Sequence, residues 1–240
     1  MKAVLLAAGT GNRLGGLTSH IPKSMIPLKG KLLIDYVLDT LLSLPLQELI
    51  IVGGFEFEKL KKYLQGRDSR IQILENKKYQ LGSIVTLKTA LPHLNDEFFL
   101  FNADHIYPKK IISKLLEKTE GIFAACDFDR PLTEDDMKIK KSPEGYLTDI
   151  SKKLTSHDGG YIGITYCAEN TLALYKKIVD DVMEKTESRG VVEEVLATLI
   201  KNGNPPKICD ASGIQWLEID TPEDLAYAEK QIHNVTSTIY

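Results

Sequence analysis

The chain has 240 residues, with 30 Lys plus Arg against 33 Asp plus Glu and a formal net charge of −3. At 43% hydrophobic and 26% charged residues it has the composition of a globular protein rather than a disordered chain. So balanced a charge excludes a bulk electrostatic partner such as duplex DNA or an anionic membrane, and any anionic ligand must be held by local cations. A chain of this length buries roughly 70% of its unfolded surface, so its core needs no disulfide or structural metal. Cys126, Cys167 and Cys209 form no C-x-x-C pair, and the five histidines no i, i+4 pair, so neither a disulfide framework nor a zinc centre is indicated. The apolar start is interrupted by Gly9, Gly11 and Arg13 after about six residues, short of a signal-peptide core. No run approaches the ~18 apolar residues of a membrane span, and a cytoplasmic location is expected.

In chain order, strand-length apolar runs at 3–6, 49–52, 71–74, 98–101 and 122–125 alternate with helical spacing at 32–44, 57–64, 84–91 and 111–116. This alternation predicts an α/β fold: a Rossmann-like, mostly parallel sheet with helices on both faces. The regularity breaks near residue 130. Residues 138–141 and 146–150 flank Ser142-Pro143-Glu144-Gly145 as a β-hairpin, followed by a strand at 161–166 and helices over roughly 169–185 and 192–201. A last strand is expected at 216–219, and Thr221-Pro222-Glu223-Asp224 has the N-cap, N1 proline and early acids of a helix start. With no repeat or linker, 1–240 reads as a single domain with an inserted antiparallel part: a nucleotide half over about 1–130 and an acceptor part over about 131–220.

The strongest chemical feature is Leu6-Ala7-Ala8-Gly9-Thr10-Gly11-Asn12-Arg13-Leu14, followed by Ile21-Pro22-Lys23-Ser24-Met25. A buried strand runs into a glycine loop whose N–H groups can approach a phosphate chain, and a helix starting after it would add its positive end. Arg13 and Lys23 supply the fixed charges that a polyphosphate requires. A dinucleotide fingerprint fails because Leu14 stands at the third glycine position, and a P-loop fails because no Gly-Lys here is followed by Ser or Thr.

Together with Pro22-Lys23-x-Met25-x-Pro27-Leu28, Gly30-Lys31-x-Leu33-Ile34, Asn102-Ala103-Asp104 and Glu218-Ile219-Asp220, this pattern resembles the sugar-phosphate nucleotidyltransferases over nearly the whole chain. The resemblance implies an NTP, Mg²⁺ and pyrophosphate release. Asp104 and Asp220 each follow a predicted strand, so both can face the crevice beyond the carboxyl ends of a parallel sheet. Two carboxylates plus substrate phosphates suffice for Mg²⁺. Arg13, Lys23, Asp104 and Asp220 are thus the expected catalytic set, with the two acids as metal ligands. Leu6, Ala7, Ala8, Gly9 and Gly11 are expected to bind nucleotide. Gly82 and Ser83 are base-site candidates, Ser83 also being placed to cap the helix at 84–91.

A triphosphate carries about four negative charges and a phosphate monoester about 1.5–2, so a further cation should meet the acceptor. Lys152 is the first candidate, favoured also by resemblance to cytidylyltransferases, with Lys153 and Arg130 behind it. Asp104-His105-x-Tyr107 and Asp158-Gly159-Gly160 are similar to the CTP:inositol-1-phosphate cytidylyltransferases, which makes His105 and Asp158 acceptor candidates and CTP the favoured nucleotide. Gly82-Ser83-Ile84 is nearer to phosphocholine and aminoethylphosphonate cytidylyltransferases. The expected reaction is transfer of CMP to a polyol or sugar phosphate, inositol-1-phosphate first. Alternatives are a sugar-1-phosphate uridylyl-, guanylyl- or thymidylyltransferase, a nucleotide-sugar glycosyltransferase, or a regulatory module that binds nucleotide without turnover. The oligomeric state is left open.

Overall fold

The computed structural model describes residues 1–118 and 120–236. In chain order its elements begin with β1 (Lys2–Ala7), a small hairpin of β2 (Pro27–Leu28) and β3 (Lys31–Leu32), and α1 (Leu33–Leu42). There follow β4 (Glu48–Gly53), α2 (Phe57–Leu64), β5 (Ile71–Glu75), α3 (Ser83–Ala90), β6 (Phe98–Asn102), β7 (His105–Ile106) and α4 (Lys109–Leu116). Beyond them come β8 (Ile122–Asp127), β9 (Lys138–Lys141), β10 (Leu147–Ser151) and β11 (Gly159–Cys167). The chain continues through α5 (Leu172–Lys185), α6 (Glu193–Lys201), β12 (Lys207–Asp210), β13 (Leu217–Glu218) and α7 (Pro222–Thr236).

Among the described residues nine strands form one sheet, with β10-β9-β11-β6-β1-β4-β5 as its main path, β8 branching from β11 and β12 pairing with β8. β6, β1, β4 and β5 run parallel, and β12 runs parallel to β8, whereas β11 is antiparallel to β6, β8 and β9. The expected hairpin is therefore continuous with the main sheet through β11. Period-2 alternation in β1 sets the layers. Ala3, Leu5 and Ala7 face a core shared with α1, α2 and α4, and Val4 and Leu6 face one shared with α3, α5 and α6. All three cysteines are buried in these two cores.

A third, smaller core matters most for the site. Leu14, Ile26, Leu28, Ile106, Leu217 and Ile219 pack against Ala228, Ile232 and Val235 of α7. Arg13 is thereby anchored by its neighbour Leu14, and Asp220 by Ile219. Two sequence expectations are corrected here. The glycine loop is followed not by an α-helix but by 3₁₀ turns over Asn12–Thr18, broken at Gly15 (φ 59°, ψ −137°), so no helix dipole points at the loop. Asp220 does not extend a parallel strand: β13 pairs antiparallel with β7 outside the main sheet, Glu218 opposite His105, and the Ile219 amide donates to the Asp104 carbonyl at 3.0 Å. A two-residue ladder leaves almost no periodic signal, yet it brings two distant acids together.

α7 starts as expected, with Pro222 at its first position. Thr221 Oγ1 accepts the Asp224 amide at 3.2 Å, and Asp224 Oδ2 accepts the amides of Asp220 and Thr221 at 3.0 and 2.8 Å. Thr221 is thus the cap, and the Asp220 side chain is left for the site. Asp224→Ala removes both acceptor contacts and is expected to cost about 0.5–2 kcal/mol in chemical unfolding.

Candidate active site

Gly11 takes a left-handed conformation (φ 68°), and a Cβ there would lie 2.8 Å from Thr18 Cγ2 and 3.2 Å from Lys23 Cβ. The glycine thus lets the loop close directly on Lys23, whose amide donates to the Gly9 carbonyl at 3.4 Å. Lys23 is only 8% exposed. Its ammonium lies between two carboxylates, 2.5 Å from Asp104 Oδ2 and in contact with Asp220 Oδ1. Arg13 pairs with the other Asp220 oxygen and, at 3.2 Å, with Asp135. Asp104 Oδ1 in turn faces His105 Nδ1 at 2.6 Å. The four expected catalytic residues are therefore one contiguous charge cluster.

Burial alone would discharge this cluster, and the opposite charges overrule it. Desolvation pushes the Lys23 ammonium toward neutrality, but Asp104 and Asp220 raise its pKa above the ordinary lysine value. Desolvation likewise favours the neutral Asp104 carboxyl, yet Lys23 and His105 hold it far below the usual carboxylate range. His105 behaves as Lys23 does: burial opposes its charge, and Glu218 and Asp104 raise its pKa.

A cleft of about 390 Å³ opens beside this cluster, lined by Leu6, Ala8, Gly9, Gly82, Ser83 and Asp104 among others. The glycine loop and the base-site candidates thus share one cavity with Asp104. Ser83, however, does not cap α3. It is the first helical residue, and its Oγ accepts the Val192 amide at 3.0 Å while the Gly190 carbonyl accepts the Ile84 amide at 3.3 Å. A Cβ on Gly82 (φ 150°) would collide with that carbonyl, so glycine is required here for packing against residues 189–190.

The acceptor candidates separate. Lys152 is exposed, and its charge acts on Glu193, which also feels His105 and Asp104. Desolvation raises the Glu193 pKa, and Lys152 opposes that shift. Lys153 is exposed, its amide donating to Ser151 Oγ at 3.1 Å. Arg130 stacks on Trp216, 4.4 Å from the ring centroid, with Glu218 at 4.0 Å and Asp136 at 3.8 Å. Asp158 is exposed and accepts the Lys141 amide at 2.8 Å; no contact joins it to Asp104, Asp220 or Lys152 among the described residues. His105 lies behind Asp104 and is buried. Sequence reading missed Glu193 and read Glu218 only as part of the Glu218-Ile219-Asp220 motif, not as a neighbour of His105 and Arg130. Glu193-Glu194 looks like ordinary acid at a helix start, and indeed Glu194 accepts the Val191 amide at 2.9 Å. Only the fold turns its neighbour toward the site.

The donor chemistry fits a divalent ion shared with a phosphate ligand. Mg²⁺ takes one or two carboxylates plus phosphate oxygens, and Asp104 and Asp220 converge on one cation position. No cluster of three or more ligating side chains occurs among the described residues. Nor is any helix among them long and apolar enough to cross a membrane.

A mixed α/β sheet with a glycine loop, paired cations and paired acids at one crevice defines a nucleotidyl-transferring enzyme. Residues 3–135 match the MobA-like NTP transferase domain, and the chain belongs to that family: it is a nucleotidyltransferase. It is 28% identical to the CTP:phosphoglutamine cytidylyltransferase of Campylobacter jejuni, covering 94% of this chain and 98% of that one. It is 27% identical to the bifunctional IPC transferase and DIPP synthase of Aquifex aeolicus over 96% of this chain, but spans only 51% of that longer protein. In structure it is similar to the inositol-1-phosphate CTP transferase from T. maritima (TM-score 0.84, 21% identity, 100% and 97% of the two chains). The CTP:phosphocholine cytidylyltransferase from Streptococcus pneumoniae superposes with TM-score 0.75 at 19% identity, over 96% and 98% of the two chains. These structural likenesses show the same fold.

The Lys23–Asp104 contact has a direct test. In carbon-detected NMR titration the Asp104 carboxyl should stay ionised well below the ordinary value of about 3.9. In Lys23→Met it should titrate at a higher pH, because desolvation then acts against one cation fewer. An unchanged Asp104 titration in that variant would contradict the electrostatic account.

Proposed function

We propose that the chain transfers CMP from CTP to a small phosphate monoester, inositol-1-phosphate first, and releases pyrophosphate. The observation that carries this reading is the meeting of Arg13, Lys23, Asp104 and Asp220 beside the glycine-loop cleft. The names of the relatives favour cytidine, and the several bifunctional IPC transferases among them favour an inositol phosphate.

In this reading residues of about 1–130 hold the nucleotide and those of about 131–220 the acceptor. Leu6, Ala7, Ala8, Gly9 and Gly11 line the phosphate chain, and Gly82 and Ser83 the base. Asp104 and Asp220 would hold Mg²⁺, which when bound supplies charge neutralisation of the triphosphate. The acceptor phosphate needs no general base, since its second pKa of about 6 leaves it ionised at pH 7. The chain's task is to bring two polyanions together. At 4 Å two unit charges repel by about 4 kcal/mol at an effective dielectric of 20. Lys23 and Arg13 offset this on the triphosphate and Lys152 on the acceptor, while Glu193 faces acceptor hydroxyls. Catalysis then rests on positioning and electrostatics.

The test is pyrophosphate release from four NTPs against inositol-1-phosphate, phosphocholine, phosphoglutamine and several sugar-1-phosphates. CTP with inositol-1-phosphate should turn over fastest. Lys23→Ala or Asp104→Ala should lower kcat by orders of magnitude in a folded chain, and Lys152→Ala should chiefly raise the acceptor KM. Tight CTP binding with no pyrophosphate from any pair would replace this reading with that of a binding module.

A further inference from the structure

His105 is 6% exposed, and its ring stacks with those of Trp216 (centroids 5.7 Å apart, planes at 8°) and Tyr107 (5.5 Å, 22°). Both neighbours are themselves pinned. Trp216 Nε1 donates to Asp127 Oδ2 at 2.9 Å, and the Tyr107 hydroxyl donates to the Ile162 carbonyl. Room for this stack comes from an irregularity in the β8–β11 ladder between Tyr161 and Thr165. At Gly163 within it, a Cβ would lie 2.8 Å from the Tyr107 hydroxyl and 3.4 Å from His105 Nε2. The imidazole therefore has one orientation, with Nδ1 2.6 Å from Asp104 Oδ1 and Nε2 3.7 Å from Glu218 Oε1. Facing a carboxylate oxygen, Nδ1 carries the proton.

We propose that His105 is a positioning residue: its Nδ1–H fixes the Asp104 carboxylate in the orientation that receives a divalent ion. The inference rests on the reading of Asp104 as a metal ligand. Asp104 is held at both oxygens, Oδ1 by His105 and Oδ2 by Lys23. When a polyanionic ligand draws Lys23 away, His105 is the contact that keeps the carboxylate from turning. Partners that orient a ligating group in this way are worth about 10–100-fold in metal affinity or activity. A simple space-filling histidine would affect stability alone, and an acceptor contact would affect the acceptor KM.

The experiment uses the full chain, with Mn²⁺ as the probe, its free concentration read by electron paramagnetic resonance in the presence of CTP. Asp104→Asn comes first: wild-type Mn²⁺ affinity in that variant would remove the metal-ligand reading itself. Once Asp104→Asn is shown to lose the ion, His105→Phe keeps an aromatic ring but no donor, and His105→Asn places an amide N–H near the Nδ1 position. His105→Phe should weaken Mn²⁺ binding about tenfold or more and lower kcat with the acceptor KM unchanged. His105→Asn should restore most of the affinity. Wild-type Mn²⁺ affinity in His105→Phe, or a raised acceptor KM as its main effect, overturns the proposal. Should His105→Phe fail to fold, His105→Asn and His105→Gln decide the matter, because the Gln amide sits one methylene further out; equal Mn²⁺ affinity in those two overturns it.

Discussion

The Lys23 ammonium closes two contacts whose partners stand 81 and 197 residues away in sequence. Asp104 and Asp220 repel each other, and without a cation between them their approach would be unfavourable in so buried a place. The lysine thus makes the paired acids compatible with a folded, ligand-free site. The same arrangement makes them conditional. A polyanion drawn to Lys23 and Arg13 would leave the two carboxylates in need of another cation, so anion and cation binding at this cluster would be linked through one side chain. An apolar foundation holds this linkage: Leu14, Ile106 and Ile219 sink into the third core beneath α7 and leave Arg13, His105 and Asp220 beside it at the cluster.

A second linkage joins the two sides of the crevice. The Ser83 hydroxyl and the Ile84 amide tie the start of α3 to the segment around Gly190 and Val192, and the next residue, Glu193, feels the charge of Lys152. The start of α3 and the segment leading into α6 are therefore joined by direct hydrogen bonds. The loop between β8 and β9 repeats this economy. It gives Asp135 to Arg13 and Arg130 to Glu218, so its two arms touch opposite ends of the charge cluster.

What the sequence made legible follows from the range of the forces involved. β1, β4 and β6 are continuous apolar runs buried on both faces, and α2 runs over 57–64 as its spacing predicts, with Leu60 and Leu64 on the buried side. Arg13 and Lys23 were legible as paired cations because the glycine loop and Pro-Lys lie within one short stretch. β12 was not: only Ile208 and Cys209 of its four residues are apolar, and what makes it a strand is pairing with β8 some eighty residues earlier. β7 failed for the same reason, being two residues long; β13 falls within the strand expected at 216–219, but its antiparallel pairing with β7 was not legible, and with it went the reason Asp220 reaches Asp104. Ser83 shows a subtler limit. Its position suits a cap by local rules, but a donor from a distant turn, Val192, claims the hydroxyl instead.

The matched family segment ends at residue 135, inside the β8–β9 loop. Before that point lie the glycine loop, Lys23 and Asp104, which are readable as motifs. After it lie Lys152, Glu193, Glu218 and Asp220, supplied by a hairpin, a helix start and a two-residue ladder, of which only Glu218-Ile219-Asp220 forms a readable motif. Asp220 joins the two groups, since it pairs with Lys23 yet lies beyond the matched segment. The scaffold after residue 135 must therefore still deliver one carboxylate to the ammonium of Lys23.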